Sequence, residues 1–180
     1  MLEGRRVRLV PLEEHHHDEL FAISRDPRIW TWQRVSAHES MERFDEWYAS
    51  IQMGFAHYFD ERVVGHTSYG NDRTHDRVIE VGNTWVVPDA WGTGANTEAK
   101  YLLMRHAFED EGYFRVEFKT EAANERSRPA LEKVGATFEG IHRKHMVVRG
   151  GERRDSAWYA VIDDDWPAVK VELEARLAQR

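Results

Sequence analysis

Glu80 interrupts an apolar run, Val78-Ile79-Glu80-Val81-Gly82, and a carboxylate in such a place is a candidate to take a proton from a nucleophile. Its plainer reading is a charge at a strand margin, facing water or a basic partner. His57, His66, His142 and His145 fall on neighbouring predicted strands, and each reads either as a base or as an ordinary solvated histidine. Ser127 offers a hydroxyl that could donate a proton, cap a helix, or do both. Tyr159 offers another. The segment Trp91-Gly92-Thr93-Gly94-Ala95-Asn96-Thr97 offers backbone instead. Gly92 and Gly94 permit a tight turn and the close approach of a ligand. Thr93, Asn96 and Thr97 can accept hydrogen bonds from free N–H groups where a helix begins. Such a turn points unpaired N–H groups and a positive dipole end at one place, which makes an anion site.

The competing phosphate motifs narrow the choice of anion. A Walker A loop needs Lys-Ser/Thr after its last glycine, and Gly94 is followed by Ala95-Asn96. A dinucleotide fingerprint needs a third glycine where Thr97 stands. What remains is a strand–turn–helix able to hold a pyrophosphate while the strand end offers backbone groups to an extended ligand. Coenzyme A has that shape; a connecting turn between two core elements is the alternative. No histidine–carboxylate cluster has zinc spacing, so no catalytic metal is expected, and no G-x-S-x-G supports a hydrolase triad.

These residues sit in a chain of 180, 41% hydrophobic and 32% charged, which suits one globular domain over residues 1–180. The net charge of −7 argues against nucleic acid and mildly favours a cationic substrate. No apolar run is long enough to span a membrane and no secretory segment opens the chain, so a cytoplasmic, membrane-free protein is expected. With no cysteine there is no disulfide, thiolate metal site or cysteine nucleophile.

The elements that must position the candidates follow from pattern. Arg5 to Val10 alternates as a first strand, and Glu13 to Ser24 reads as a helix with Leu20 and Ile23 inward and His15-His16-His17 on its solvated surface. Ser36 and Glu39 form a capping box before a helix carrying Met41, Phe44, Tyr48 and Ile51, which Gly54 ends. A hairpin over 55–69 turns at Asp60-Glu61-Arg62, and Gly70 to Arg77 reads as loop. A buried strand from Val78 stops at Pro88, and a helix follows the glycine turn. Phe114 to Lys119 is a strand; Ser127 caps a helix that ends at Gly135. A final hairpin joins Thr137–Val148 to Arg153–Ile162, and Val169, Leu173 and Leu177 mark a last helix. The order predicts an α/β fold, a mixed and mostly antiparallel sheet flanked by helices. Trp30, Trp32 and Trp47 could supply a homodimer contact or belong to the core.

That order, joined to two motifs, resembles the GNAT N-acetyltransferase superfamily, most closely its RimJ/RimL-like branch, over nearly the whole chain. Val87-Pro88-Asp-Ala-Trp91-Gly-Thr-Gly94-Ala-Asn96-Thr-Glu98-Ala99 is similar to the branch's pyrophosphate loop. Asn124-Glu-Arg-Ser127-Arg-Pro-Ala-Leu131-Glu132-Lys133-Val-Gly135 is similar to its N-x-x-S…L-E-K-x-G segment. The resemblance implies acetyl transfer from acetyl-CoA, as cosubstrate, to an amine acceptor. It implies pyrophosphate binding by the N–H groups of Gly92, Thr93, Gly94, Ala95, Asn96 and Thr97. Trp85, Val86 and Val87 would pair with the pantetheine arm, Asn124 would hydrogen-bond it or its neighbourhood, and Ser127 would sit near the sulfur. Trp91 stands where Arg or Gln is frequent, Asn96 where Gly or Ala is, and Leu131 where many members carry a tyrosine acid. The acid role therefore passes to Ser127 or to water.

An acceptor amine, with a reference pKa of ~10, must lose a proton before it attacks a thioester. Glu80 is the first candidate for that step, with Ser127 as the acid. A backbone N–H near Val87 would steady the oxyanion. With no cysteine to carry the acetyl group, direct transfer in a ternary complex is expected. A CoA-binding regulatory module without catalysis, or an antibiotic or polyamine acetyltransferase, are the rivals.

Overall fold

The alternating and fully apolar segments of the chain all join one sheet, and the helices cover its two faces. The computed structural model describes residues 1–179. In chain order the elements are β1 (Leu2–Glu3), β2 (Val7–Pro11), α1 (His17–Ile23), α2 (Pro27–Trp30), α3 (Met41–Ala49), β3 (Met53–Phe59), β4 (Arg62–Arg73) and β5 (Val78–Val86). There follow α4 (Ala95–Arg105), β6 (Arg115–Glu121), α5 (Ser127–Lys133), β7 (Thr137–Val148), β8 (Glu152–Ile162) and α6 (Trp166–Ala178). The eight strands are ordered β1-β2-β3-β4-β5-β6-β8-β7, and every neighbouring pair is antiparallel except β5–β6. The α/β expectation of a mixed, mostly antiparallel sheet is the observed architecture.

One face carries an aromatic cluster. The Trp30 ring lies 5.4 Å from Trp47 and 5.9 Å from Trp85, tying α2 and α3 to the end of β5. Trp30 and Trp47 are buried, so they belong to the core and supply no dimer contact. On the other face Tyr69 of β4 donates to the Leu103 carbonyl of α4 at 2.6 Å.

Several expected boundaries move, each for a local reason. The first helix starts late: Glu14–His16 form a 3-10 turn, and a true capping box joins Glu13 to His16. The His16 ring is buried rather than solvated, with its Nδ1 accepting the Glu13 N–H at 3.0 Å. Ser36 makes no cap; Ser40 does, accepting the Arg43 N–H at 3.2 Å, while Glu39 pairs with Arg43 instead. Gly54 lies inside β3, and β4 runs on through Gly70 to Arg73, where a loop was expected. The central helix relaxes into a π-turn over His106–Asp110 before Gly112. None of the helices among the described residues is long and apolar enough to cross a membrane.

Candidate active site

β5 and β6 share only three register pairs, Val78 with Arg115, Ile79 with Val116 and Glu80 with Glu117. Past Glu117, β6 follows β8, pairing with it as far as Glu121 opposite Ser156. β5 stays with β4 and carries a bulge: His66 faces Trp85 while Ser68 faces Gly82, so three steps on β5 match two on β4. Asn83 takes up the extra residue at φ +50°, a conformation that asparagine tolerates better than most. The bulge is pinned from both sides. The Trp47 indole donates to Asn83 Oδ1 at 3.2 Å, and His66 Nδ1 donates to the Asn83 carbonyl at 3.0 Å. The two strands therefore part, opening a cleft of about 1340 Å³ between the ends of β5 and β6, walled by α3 and by the first turns of α4 and α5.

At one end of the cleft the glycine turn does what its sequence suggested. Gly92 and Gly94 have φ of +77° and +102°, and Gly94 is the N-cap of α4. Thr93 Oγ1 donates to the Ala90 carbonyl at 2.8 Å and accepts the Ala95 N–H at 3.3 Å. The first bond of the helix runs from Glu98 N–H to the Gly94 carbonyl, so the N–H groups of Asn96 and Thr97 stand in the unpaired first turn. Contrary to expectation, the side chains of Asn96 and Thr97 cap nothing. Asn96 Oδ1 is buried without a partner, and Asn96 lines the cleft. A buried, unpaired acceptor beside a helix N-terminus fits a ligand carrying both a phosphate and an amide N–H.

Trp85 and Val86 line the same cleft, partly engaged, and Val87, expected beside them, does not. The Val87 N–H goes to the Val64 carbonyl at 2.8 Å, so it cannot face an oxyanion. The Val86 carbonyl accepts the Trp91 indole at 2.9 Å, and the Thr84 carbonyl accepts the Gln33 amide at 2.9 Å. Trp91 thus ties the turn to the strand end, and the Arg126 guanidinium sits 3.8 Å over its ring. Asn124 is buried and committed to its own turn: Oδ1 accepts the Ser127 N–H at 3.0 Å and Nδ2 donates to Thr120 Oγ1 at 3.1 Å. Asn124 caps α5, and Ser127 does not. The Ser127 hydroxyl, at the rim of the cleft, has no hydrogen-bond partner among the described residues.

Glu80 is buried on the cleft wall. Lys119 Nζ and Asn71 Nδ2 both donate to Oε2, at 2.6 and 2.5 Å. Oε1 makes neither bond and would lie 3.0 Å from a Cβ placed on Gly82, so it leans toward the open strand edge. The other candidate bases are elsewhere. His57 and His66 are enclosed, and burial pushes them down to about 3 and about 4. His145 bonds Ser156 at 3.0 Å and His142 packs 4.9 Å from Trp158; neither lines the cleft. Tyr159 is buried on the α5 side and does not line the cleft; its hydroxyl accepts Arg128 Nε at 3.1 Å and donates to Glu132 Oε1 at 3.5 Å.

Three buried or half-buried cationic side chains on the cleft went unnoticed in the sequence: Lys100, Lys119 and Arg154. Lys119 stands in an alternating strand, where a charge could have been weighed as Glu80 was; Arg154 lies in a polar run that gave no such signal. Lys100, 5.7 Å over the Phe118 ring, is pushed down to about 8 by burial. The β7–β8 hairpin roofs this end: the Arg149 N–H donates to the Arg34 carbonyl at 3.0 Å and its Nη1 to the Gln33 carbonyl at 2.9 Å. Among the described residues no cluster of His, Asp or Glu has the make-up to hold a metal ion.

Known proteins share this fold. A crystal structure of a GCN5-related N-acetyltransferase from Brucella melitensis is 36% identical and superposes with a TM-score of 0.89, over 97% of this chain and 83% of that one. Mycobacterium smegmatis RimJ, solved in complex with CoA-disulfide, has a TM-score of 0.82 at 21% identity, over 94% of this chain and 88% of that one; it is alike in fold. Among curated proteins, the "Putative ribosomal N-acetyltransferase YdaF" of Bacillus subtilis is 30% identical over 112 residues, 62% of this chain and 60% of the relative's length. The family model described as the acetyltransferase (GNAT) domain matches residues 6–137. With that match laid over the parted strands and the helix N-terminus beside them, the chain belongs to the GNAT acetyltransferase family.

Proposed function

We propose that the protein is an N-acetyltransferase that moves an acetyl group from acetyl-CoA to a primary amine, with donor and acceptor held in the cleft together. The observation that carries this reading is the parting of β5 and β6 beside the N-terminus of α4. It provides an open strand edge for an extended arm and an anion site for a pyrophosphate, one next to the other. When bound, acetyl-CoA supplies a thioester activated for acyl transfer. The first-turn N–H groups of Asn96 and Thr97 hold the pyrophosphate, and the unpaired Asn96 Oδ1 accepts an amide N–H from the arm. Trp85 and Val86 keep that arm against β5. Ser127, its hydroxyl freed because Asn124 does the capping, donates to the departing sulfur. Glu80 Oε1 takes the ammonium proton, directly or through water, while Lys119 and Asn71 hold the other oxygen still. The acceptor is a protein N-terminus or a small amine.

Calorimetry with acetyl-CoA, followed by a panel of amines read by CoA release, tests the proposal. Micromolar association and turnover of at least one amine are expected. No heat of association would overturn it, and binding without turnover on any amine would leave a CoA-binding module.

A further inference from the structure

Opposite α4, cross-strand pairs share one face of the sheet: Lys119 opposite Trp158 and Glu121 opposite Ser156, with Arg154 next in the same alternation on β8; of these, Lys119 and Arg154 line the cleft. Two of its cations are neutralised. Lys119 pairs with Glu80 at 2.6 Å, and Arg149 pairs with Glu121 at 2.9 Å and with the exposed Glu152 on the rim at 3.3 Å. Arg154 differs. It is 7% exposed, lines the cleft, and its guanidinium makes no hydrogen bond or ion pair among the described residues; Nε is enclosed without a partner. The charges that act on it are those of Glu121, Glu80 and Arg149, and both carboxylates already hold cations of their own.

A guanidinium taken out of water without a counter-charge is costly, and a fold keeps one where something else brings the charge. We infer that Arg154 is an acceptor subsite for a carboxylate, so that the amine acetylated here carries one, as an amino acid does. The inference rests on the acetyltransferase reading for the direction of the chemistry. Arg154 is the cation of this group with no carboxylate of its own, and an acceptor carboxylate would supply one. A phosphate dianion would overshoot, beside Glu80 and Glu121. The planar fork of arginine also matches a carboxylate edge. Glu80 and Arg154 then act on the two ends of one acceptor. Glu80 Oε1 faces the amine, and Arg154 fixes the acid group deeper along β8, under the hairpin roof.

The test uses products, so that it depends on neither turnover nor acetyl-CoA. N-acetylglycine should raise the thermal midpoint of the wild-type protein, N-acetylglycinamide should not, and Arg154→Met should respond to neither. In the acceptor assay, Arg154→Met should raise the KM of a carboxylate-bearing amine roughly 10- to 100-fold, the range of a charge-assisted hydrogen bond, with kcat changed less. Arg154→Lys should recover part of that loss. Without ligand, Arg154→Met should unfold at or above the wild-type midpoint, since it removes an uncompensated charge. Equal responses to the acid and the amide, no response to either, or a surviving response in Arg154→Met would overturn the assignment. Acetyl-CoA affinity measured alongside reports separately on the acetyltransferase reading.

Discussion

Gly65 is the place where one methyl group should do the most damage. It lies on β4 opposite Val86, at the end of the strand that forms the cleft edge. A Cβ there would overlap the Trp85 carbonyl oxygen and come within 2.8 Å of Val86 Cα and 2.9 Å of the Trp85 carbonyl carbon. All three atoms are backbone, so no rotamer change relieves the clash, and β5 must move by more than half an ångström. Overpacking of this kind costs about 3 kcal/mol, the upper part of the usual range. For a chain of this size that is roughly 6–12 °C in thermal midpoint, or about 1–1.5 M in urea midpoint at a slope of about 2–3 kcal/mol/M. The control is on the same strand. A Cβ on Gly70 meets nothing within 4 Å, so Gly70→Ala should be neutral or gain about 0.5 kcal/mol through the unfolded state. Urea unfolding of the two variants, with acetyl-CoA titrated into the folded protein, reads both consequences. Gly65→Ala should also weaken acetyl-CoA binding, because the displaced carbonyl belongs to the strand proposed to hold the arm. A Gly65→Ala protein within about 1 kcal/mol of wild type would refute the close approach of β4 and β5 and the reasoning built on it.

Other outcomes follow from the same geometry. Glu80→Gln should lower turnover about 100-fold, in the range of general base catalysis, with acetyl-CoA affinity nearly unchanged; steady-state kinetics beside calorimetry measures the split. Gly94→Val places a branched side chain at φ +102° and should abolish acetyl-CoA binding while the secondary structure seen by circular dichroism persists. Ser127→Ala should slow release of CoA without moving the unfolding midpoint, because Asn124 is the cap; a fall of 1 kcal/mol or more would return the capping role to Ser127. Acid should destabilise the fold early. Burial holds His57 and His66 neutral down to about 3 and about 4, so the unfolded chain takes up two protons that the folded chain refuses as pH drops below ~6.5. Their contribution is fully present above that pH and is lost on the way down, to about 4 for His66 and about 3 for His57. Between pH 7 and 5 the loss should be roughly 4 kcal/mol, measured as urea stability at each pH.

The strands and the glycine-turn end of the cleft were legible because their signals are local. Val78 to Val86 is a mostly apolar, β-branched and aromatic run broken by Glu80, Asn83 and Thr84, Pro88 and the two glycines punctuate it, and both motifs lie within short windows. Ser127 shows the limit of local reading: serine and asparagine both cap helices, and only the fold shows that Asn124 reaches the N–H first. Glu80 was visible as a misplaced charge, but its partners Asn71 and Lys119 come from a bulge and a neighbouring strand. Trp30 read equally well as surface or core, since an aromatic in a connector carries no periodicity to say which way it points; Trp47 sits on α3 one residue before Tyr48, and the structure turns it inward. Arg154 was hidden by the unbroken polar run Glu152-Arg153-Arg154-Asp155-Ser156 around it. Such a run reads as a solvated turn and strand end, and only the hairpin roof turns one side of it into an interior.

That roof is fastened by the bond from Arg149 to the Gln33 carbonyl, which spans 116 positions of the chain. The glycine turn proposed to hold the pyrophosphate, its helix and the Asn124 cap come from one stretch between residues 78 and 133. Bringing distant segments together carries a larger entropic penalty than closing short loops, and it is met later. A refolding molecule should therefore regain its grip on the nucleotide before it can tell one acceptor from another. A kinetic experiment that follows both signals should see them return in that sequence.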